Sequence, residues 1–386
     1  MARATPELIE RMTAWRRHLH THPELATHEQ ETSDFVCAEL TRLGIPFERG
    51  IGGHGIVATL HRPGSPRSVG LRADMDALPI TEKTGKPWSS QVTGRMHACG
   101  HDGHTASLLG AAHLLTQDPS WSGTIRLIFQ PAEEGGIGAK AMIADGFFER
   151  FPLDAIYAYH NWPGVAAGTI ALRPGGLMAA GGRIAIRLTG RPCHAAMPQE
   201  GRDSLLAAAH LITALQSVPS RAVAPTDPVV VSVTTLRTGE AFNQISDEVV
   251  LGGTIRTLSN EVRDLVETEI TRIVHGIAAT FNIEAEVSLR RSAPVTWNSP
   301  SGVADALQAA GRAGFATISD ITPSMAGEDF AWFLERIPGA MVWIGNGEMV
   351  PGGQLHSPEY DFNDDILPVA ASWLHEVACA SLRRND

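Results

Sequence analysis

A basic excess, a long apolar run and a cysteine framework are all missing from this sequence. Of its 386 residues, 31 are Lys or Arg and 42 are Asp or Glu, a formal charge of -11 at neutral pH. That balance argues against nucleic acid or an anionic membrane surface as a partner. No apolar run is long enough to span a bilayer. The opening Met1-Ala2-Arg3-Ala4-Thr5-Pro6-Glu7 lacks the apolar stretch of a secretory signal. The four cysteines, Cys37, Cys99, Cys193 and Cys379, are widely spaced. Such spacing suits reduced thiols rather than disulfides, so a cytoplasmic location is expected. Only Cys99 lies among other ligand-type residues, and the other three read as buried small hydrophobes. Internal repeats and low-complexity tracts are also lacking.

The chain does have the length of two domains and 43% hydrophobic residues to fill their cores. Leu8, Met12, Trp15 and Leu19 recur at helical spacing, as do Phe35, Leu40 and Leu43, and Gly44 with Pro46 ends the second helix. Strand-like runs at Ile56–Leu60, Val69–Leu71, Thr124–Phe129 and Ala155–Tyr159 alternate with helical segments from about His104 and over Ala139–Ala144. That alternation predicts an α/β fold, a mostly parallel sheet flanked by helices. Past Pro174-Gly175-Gly176 the pattern changes. Strand Arg183–Leu188, helix Ser204–Gln216, strands Val229–Leu236 and Val249–Ile255, helix Val262–Phe281 and strand Ala285–Leu289 follow the split-βαβ, ferredoxin-like α+β plan. After Pro294 the first pattern returns. The expected division is a discontinuous domain of residues 1–179 and 293–386, with residues 180–292 inserted in it.

The segment Met96-His97-Ala98-Cys99-Gly100-His101-Asp102-Gly103-His104 packs a thiol and three imidazoles into nine residues, and Glu133-Glu134 follows an apolar strand. Thiol, imidazole and carboxylate together are a transition-metal ligand set. A second carboxylate beside a ligating one is what a metal-assisted hydrolase needs to carry protons. In an extended loop Cys99 and His101 point the same way, and Glu134 follows a strand end, where open α/β sheets collect ligands. His160 and His356 lie in strand-end and loop contexts that fit a ligand or an ordinary packed histidine equally. With them, Cys99, His101 and Glu134 make a set too large for one tetrahedral ion. It suits two ions about 3.5–4 Å apart, with Cys99 as the candidate bridge. Glu133 is then the general base. His97 and His104 read mainly as hydrogen-bonding neighbours, and His18, His20 and His22 as structural or solvated. The mixed donors admit Zn²⁺, Mn²⁺, Co²⁺ or Ni²⁺, and a thiolate favours zinc.

Several blocks resemble a known family: Trp15–His20 with Pro23-Glu24-Leu25, Leu71–Ile80, Met96–Thr105, Phe129–Glu134, His160–Gly164, His194-Ala195-Ala196, Ala241-Phe242-Asn243, Gly253–Arg256, Gly327–Phe330 and Leu355–Pro358. In order along nearly the whole chain, they resemble the N-acyl-amino-acid amidohydrolases of the carboxypeptidase-G and aminoacylase metallopeptidase superfamily, in the branch of hippurate and indole-acetyl-amino-acid hydrolases. The resemblance implies a zinc-exopeptidase-like catalytic domain and a di-metal centre held by Cys99, His101, Glu134, His160 and His356, with manganese beside zinc as a candidate. It implies Glu133 as base and Asp76 orienting a metal-binding histidine from behind. The inserted domain would be a lid and a homodimer interface (or part of a homotetramer). From it, His194 would stabilise the oxyanion in a neighbouring subunit's site. Asn243 and Arg256 would hold the substrate carboxylate.

Near His194 the chain departs from the family pattern of Gly-Gly before the His-Ala-Ala and Pro-His after it. Arg191-Pro192-Cys193 precedes His194 here, and Met197-Pro198-Gln199 follows Ala196. Loop shape and acyl selectivity are thereby left open. The expected activity is hydrolysis of an N-acyl-amino acid to a carboxylate and a free amino acid. The alternatives are a dipeptidase or carboxypeptidase of the same superfamily, or a non-catalytic metal-binding sensor of acyl-amino acids.

Overall fold

The computed structural model describes residues 4–383. They form two compact units. The first runs to Leu177 and takes in Trp297–Thr322 and the chain from Asp329, and the second is Met178–Thr296 with Pro323–Glu328. The sequence reading put 323–328 in the first part. A parallel bridge between Met178 and Ser324, and a hydrogen bond from Ala179 N–H to the Ala326 carbonyl (2.9 Å), tie that segment to the second unit instead.

In the first unit the sheet runs in the order Phe47–Ile51, Gly55–Arg62, Gly123–Gln130, Ser68–Asp74, Ala155–Pro163, Gly339–Gly347, Ile170–Ala171 and Thr317–Ile318. Its middle, from Gly123–Gln130 to Gly339–Gly347, is parallel. The flanking Gly55–Arg62 joins antiparallel. These central strands are buried on both faces, which is why Thr124–Phe129 and Ala155–Tyr159 read as apolar runs without strict alternation. Helices Pro6–Thr21, His101–Gln117 and Leu367–Leu382 pack into one core, with Met12, Leu108, Leu127, Tyr157 and Trp373 all buried. His101–Gln117 is enclosed on nearly every side, so its apolar residues form no stripe.

Two of the element boundaries that differ from the sequence expectation bear on the site. The third helix begins at His101, not near His104, because Gly100 takes a left-handed φ of 89° and turns the chain straight into it. The strand expected to end at Tyr159 continues to Pro163, because pairing with Gly339–Gly347 carries on through His160 and Asn161. His160 therefore lies within a strand.

The second unit has an antiparallel sheet in the order Val229–Thr238, Glu248–Thr257, Ala180–Thr189, Glu284–Arg291. Helices Ser204–Leu215 and Asn260–Phe281 cover it, burying Ile184, Leu211, Val249 and Ile270. The Asp203 and Ser259 side chains accept the N–H groups of Leu206 and Val262, and so cap the two helices. Placing Glu248–Thr257 between the two strands joined by the first helix is the split-βαβ arrangement. No helix among the described residues is long and apolar enough to cross a membrane.

Close packing of His101–Gln117 leaves no room at Gly103, where an added Cβ would come within 2.2 Å of the Phe362 ring. Gly103→Ala gains about 1 kcal/mol of helix propensity. Against that stands overpacking of about 1–3 kcal/mol, and a rigid ring cannot yield as a flexible chain would. The expected outcome is a net loss of stability, read as a lower melting temperature in calorimetry. An unchanged or higher one would mean that Phe362 moves aside.

Candidate metal centre

Loops at the carboxyl ends of the parallel strands carry the chemistry. Strand Ser68–Asp74 leads into Asp76, and strand Gly123–Gln130 leads into Glu133-Glu134. Between them stands the Cys99-Gly100-His101 turn. Gly100 is required there twice over. Its φ is positive, and a Cβ would meet Asn161 Nδ2 at 2.3 Å. Asn161 holds the turn by donating to the Cys99 carbonyl (2.6 Å) while accepting from the Tyr360 hydroxyl (2.6 Å).

Ligand-type atoms converge on this turn. Those of Cys99, His101 and His160 lie within 4.8 Å of one another, and so do those of Cys99, Glu134 and His356. Cys99 belongs to both groups. Its Sγ is 3.3 Å from His160 Nε2. Glu134 Oε1 is 3.5 Å from His356 Nε2 and 3.9 Å from His101 Nε2. The extended-loop picture of Cys99 and His101 is replaced by a left-handed turn followed by a helix start, which brings both side chains to one place.

Backbone geometry outside regular structure aims the remaining donors. Ala132 at φ 54° and His356 at φ 64° are non-glycine residues in the left-handed region, a strained state that clusters at functional sites. The His356 N–H donates to the Ala98 carbonyl (2.8 Å), pinning its loop to the ligand-rich segment. Asp76 accepts the N–H groups of both Glu133 (3.0 Å) and Glu134 (2.9 Å). Its own carbonyl faces His101 Nδ1 at 2.8 Å, which leaves Nε2 as the lone-pair nitrogen. Glu133 Oε1 in turn accepts the Asp329 N–H at 3.3 Å.

Electrostatics here are those of a site built around positive charge. His101 Nε2 and Glu134 Oε1 are buried with no hydrogen-bond partner among the described residues. Burial and the neighbouring Glu134, Glu133 and Asp74 carboxylates push the Cys99 thiol well above its ordinary range. Burial raises Glu134 to about 7 against the pull of His101. Burial opposes a charged His101, but Asp74, Asp76 and Glu134 outweigh it and raise the ring to about 10. Without a cation this cluster holds protons on its donors, and a divalent ion would replace them. Orphaned buried atoms and a thiol, imidazole and carboxylate set fit such ions.

The other histidines of the segment are placed differently. His104 uses both nitrogens, Nδ1 on Asp74 Oδ1 (2.6 Å) and Nε2 accepting the Asn161 N–H (3.0 Å). No lone pair is left there for an ion. His97 is buried at 1% exposure, and burial lowers it to about 4. His194, Asn243 and Arg256 lie in the second unit. His194 pairs with Gln244 in a short ladder, the Asn243 carbonyl accepts the Ala195 N–H (2.9 Å), and His194 Nδ1 accepts the Ala196 N–H (3.1 Å). Arg256 stands opposite Gly181 across the strand pair and donates to the Ile255 carbonyl at 2.9 Å. The departure at Arg191–Cys193 is closed by paired backbone bonds between Arg191 and Arg202.

Residues 70–380 match the model of the peptidase family M20/M25/M40. The chain belongs to this family. It is 39% identical over 381 residues to a Bacillus subtilis protein named N-acetyl-L-cysteine deacetylase, covering 98% of this chain and 90% of that one. It is also 39% identical to a hippurate hydrolase of Campylobacter jejuni, over 95% of this chain and 96% of the relative. A solved Bacillus subtilis structure, described as a dinuclear metal binding peptidase from the M20 family, superposes with a TM-score of 0.87 at 34% identity, covering 97% of this chain and 98% of that one. The M20 protein described here is a hydrolase acting on amide bonds, and its site supports two divalent metal ions.

Sequence reasoning assigned no role to several residues that hold this centre in place. Buried Arg72 donates to Asp74 (2.7 Å), Gln130 (2.8 Å) and Asp329 (3.2 Å). These residues stood inside the quoted blocks, but nothing in their spacing announces a contact between positions 72 and 329. His20, expected as structural or solvated, is fully buried beside the same helix start. Its Nδ1 is 2.8 Å from Asp102, and its Nε2 is 3.3 Å from Glu82.

Burial opposes a charge on His20, yet Asp102 and Glu82 outweigh it and raise the ring to about 9 from 6.5. A raised histidine stabilises the fold fully below its unfolded pKa, and the contribution fades as pH climbs through the folded one. The window is therefore pH 6.5 to about 9, over which a contribution on the order of 3 kcal/mol is lost. Melting temperatures of the chelator-treated M20 chain and of His20→Gln, compared across that window, test it. The wild type is expected to fall more steeply. Parallel slopes would show that His20 is neutral in the fold.

Proposed function

We propose that this M20 chain hydrolyses N-acyl-amino acids to a carboxylate and a free amino acid, at a pair of divalent ions held by Cys99, His101, Glu134, His160 and His356. The observation that carries this reading is the position of Cys99 in both donor groups, with Glu133 fixed next to them by Asp76 and Asp329. When bound, such ions would polarise an amide carbonyl and activate water. Glu133 would take a proton from the attacking water and deliver it to the departing nitrogen. Asp76 keeps Glu133 and Glu134 on one turn, so that proton carriage and ligation occur side by side. Because the His194 Nδ1 accepts a backbone N–H, its neutral ring carries the proton on Nε2, which makes it a donor suited to an oxyanion. Asn243 and Arg256 are assigned to the substrate carboxylate.

Zinc suits the thiolate, manganese is the second candidate, and cobalt or nickel can occupy mixed donors of this kind. The names of the relatives, an N-acetyl-L-cysteine deacetylase and a hippurate hydrolase, support N-acetyl-amino acids or hippurate as substrates. The fixed Glu133 argues against a sensor that binds without turnover. The inserted unit is assigned the lid and homodimer roles. Leu205, Leu206, Val230 and Leu236 are exposed on it, which supports association between copies. The expected place of action is the cytoplasm.

The test is amide turnover by the purified chain over N-acetyl-amino acids, hippurate and dipeptides, with each of the four metals. Hydrolysis confined to dipeptides would replace the N-acyl reading. Glu133→Ala is expected to keep both ions, measured by elemental analysis, while kcat falls by about 10²–10⁴-fold. Near-normal turnover in that variant would remove Glu133 from the proton-carrying role.

A further inference from the structure

A second cluster of soft and hard donors lies at the opposite end of the helix that begins with His101. That helix closes at Asp118, its C-cap residue, after 17 residues, roughly 25 Å from the candidate centre. Asp118 Oδ2 is 2.9 Å from His375 Nε2, and Cys379 Sγ is 3.9 Å from the same nitrogen. His375 and Cys379 are four apart on the helix Leu367–Leu382 and so share one face. His375 is 2% exposed and Cys379 fully buried.

We propose that Asp118, His375 and Cys379 form an accessory site for a thiophilic divalent cation of the zinc or cadmium type. In a tetrahedral zinc site the bond lengths of about 2.0 Å to nitrogen or oxygen and 2.3 Å to sulfur put neighbouring donors roughly 3.3–3.6 Å apart. The observed 2.9 and 3.9 Å to His375 bracket that range, and the three ligand atoms all lie within 4.8 Å of one another. Behind the imidazole, Glu376 Oε1 stands 3.4 Å from His375 Nδ1, a nitrogen with no hydrogen bond among the described residues. A carboxylate behind a histidine is the arrangement that orients metal-binding imidazoles and makes them better donors. Asp118 and Glu376 both line a cleft of about 1010 Å³ that gives the ion a way in.

Charge and dipole also suit a cation. The carboxylate of Asp118 and a thiolate at Cys379 together neutralise a divalent ion, which keeps the desolvation cost of the buried site low. The open carbonyls at the end of His101–Gln117 favour positive charge. Burial pushes the Cys379 thiol to about 12, so without an ion it is neutral. Binding would replace the thiol proton, which leaves to solvent. This reading revises the expectation that Cys379 is only a small buried hydrophobe. A plain hydrogen bond between His375 and Asp118 is the rival, and it has no use for the sulfur. The site's failure would leave the proposed amide hydrolysis untouched.

Cadmium titration of the full chain separates these readings, because the sulfur-to-cadmium absorption band counts bound thiolates. In Cys99→Ala, made together with Cys193→Ser in every chain compared because that thiol is half-buried rather than buried, a single thiolate band is expected. It should vanish in Cys99→Ala/Cys379→Ala and in Cys99→Ala/His375→Ala. In Cys99→Ala/Glu376→Gln, affinity should drop about tenfold. Asp118→Asn, at a partly exposed position, should weaken binding without disturbing the buried helix face. Should Cys99→Ala fail to fold, Cys193→Ser compared with Cys193→Ser/Cys379→Ala gives the same count, two thiolates against one. The proposal is overturned by a band in Cys99→Ala that survives removal of Cys379, or by no band at all in a folded Cys99→Ala chain.

Discussion

One carboxylate organises the proposed chemistry. Asp76 accepts the backbone N–H groups of Glu133 and Glu134 together, while its carbonyl faces His101 Nδ1. The contact joins the ends of two parallel strands, Ser68–Asp74 and Gly123–Gln130, across the gap where the helix His101–Gln117 begins. Without it, two adjacent acidic residues after a strand would repel each other and seek water. With it, their backbone is fixed, and one side chain is directed to the ligand set while the other lies beside it. Asp76 is buried, and backbone hydrogen bonds to a carboxylate strengthen where solvent is excluded.

A second layer of buried charge supports the first. Arg72 bridges Asp74, Gln130 and Asp329, and Asp329 returns a backbone N–H to Glu133. Asp74 also fixes His104, whose other nitrogen holds Asn161, which in turn holds the Cys99 carbonyl. Each buried charge has a partner in this chain of contacts, as low dielectric requires. At its inner end, His101 Nε2 and Glu134 Oε1 have no hydrogen-bond partner among the described residues. Backbone strain, unpartnered ligand-type atoms and concentrated charge thus coincide at this spot.

Short-range chemistry was legible in the sequence, and long-range support was not. Cys99, His101 and Glu134 stood out because ligand types crowd within a few residues of a strand end or a helix start. The split-βαβ unit was legible because its strands and helices have clean periodicity and caps such as Asp203 and Ser259. By contrast, His160 and His356 look ordinary in their own neighbourhoods. They join the others only because Ala155–Pro163 extends its pairing and because His356 adopts a left-handed backbone beside Ala98. The start of the helix at His101 was misplaced because one glycine with positive φ does the work of a longer loop. Arg72 and Asp329 carry no local signal, since neither period nor spacing encodes a contact across most of the chain.

The choice of sulfur at the shared position has a physical consequence. A carboxylate in place of Cys99 would be held near Glu133, Glu134 and Asp74 and would add a further negative charge to a buried acidic site. A thiol avoids that cost, because burial and those same carboxylates keep it protonated and neutral until a cation arrives. The metal-free fold therefore does not have to hold an additional uncompensated charge, and under the proposed ligand set Cys99 would become anionic only when an ion compensates it. That coupling favours soft or borderline ions over hard ones, because the gain from forming a metal–sulfur bond must exceed the cost of removing a tightly held proton. Under the proposed ligand set, the residue that spares the metal-free fold a buried charge would also bias the site toward softer ions.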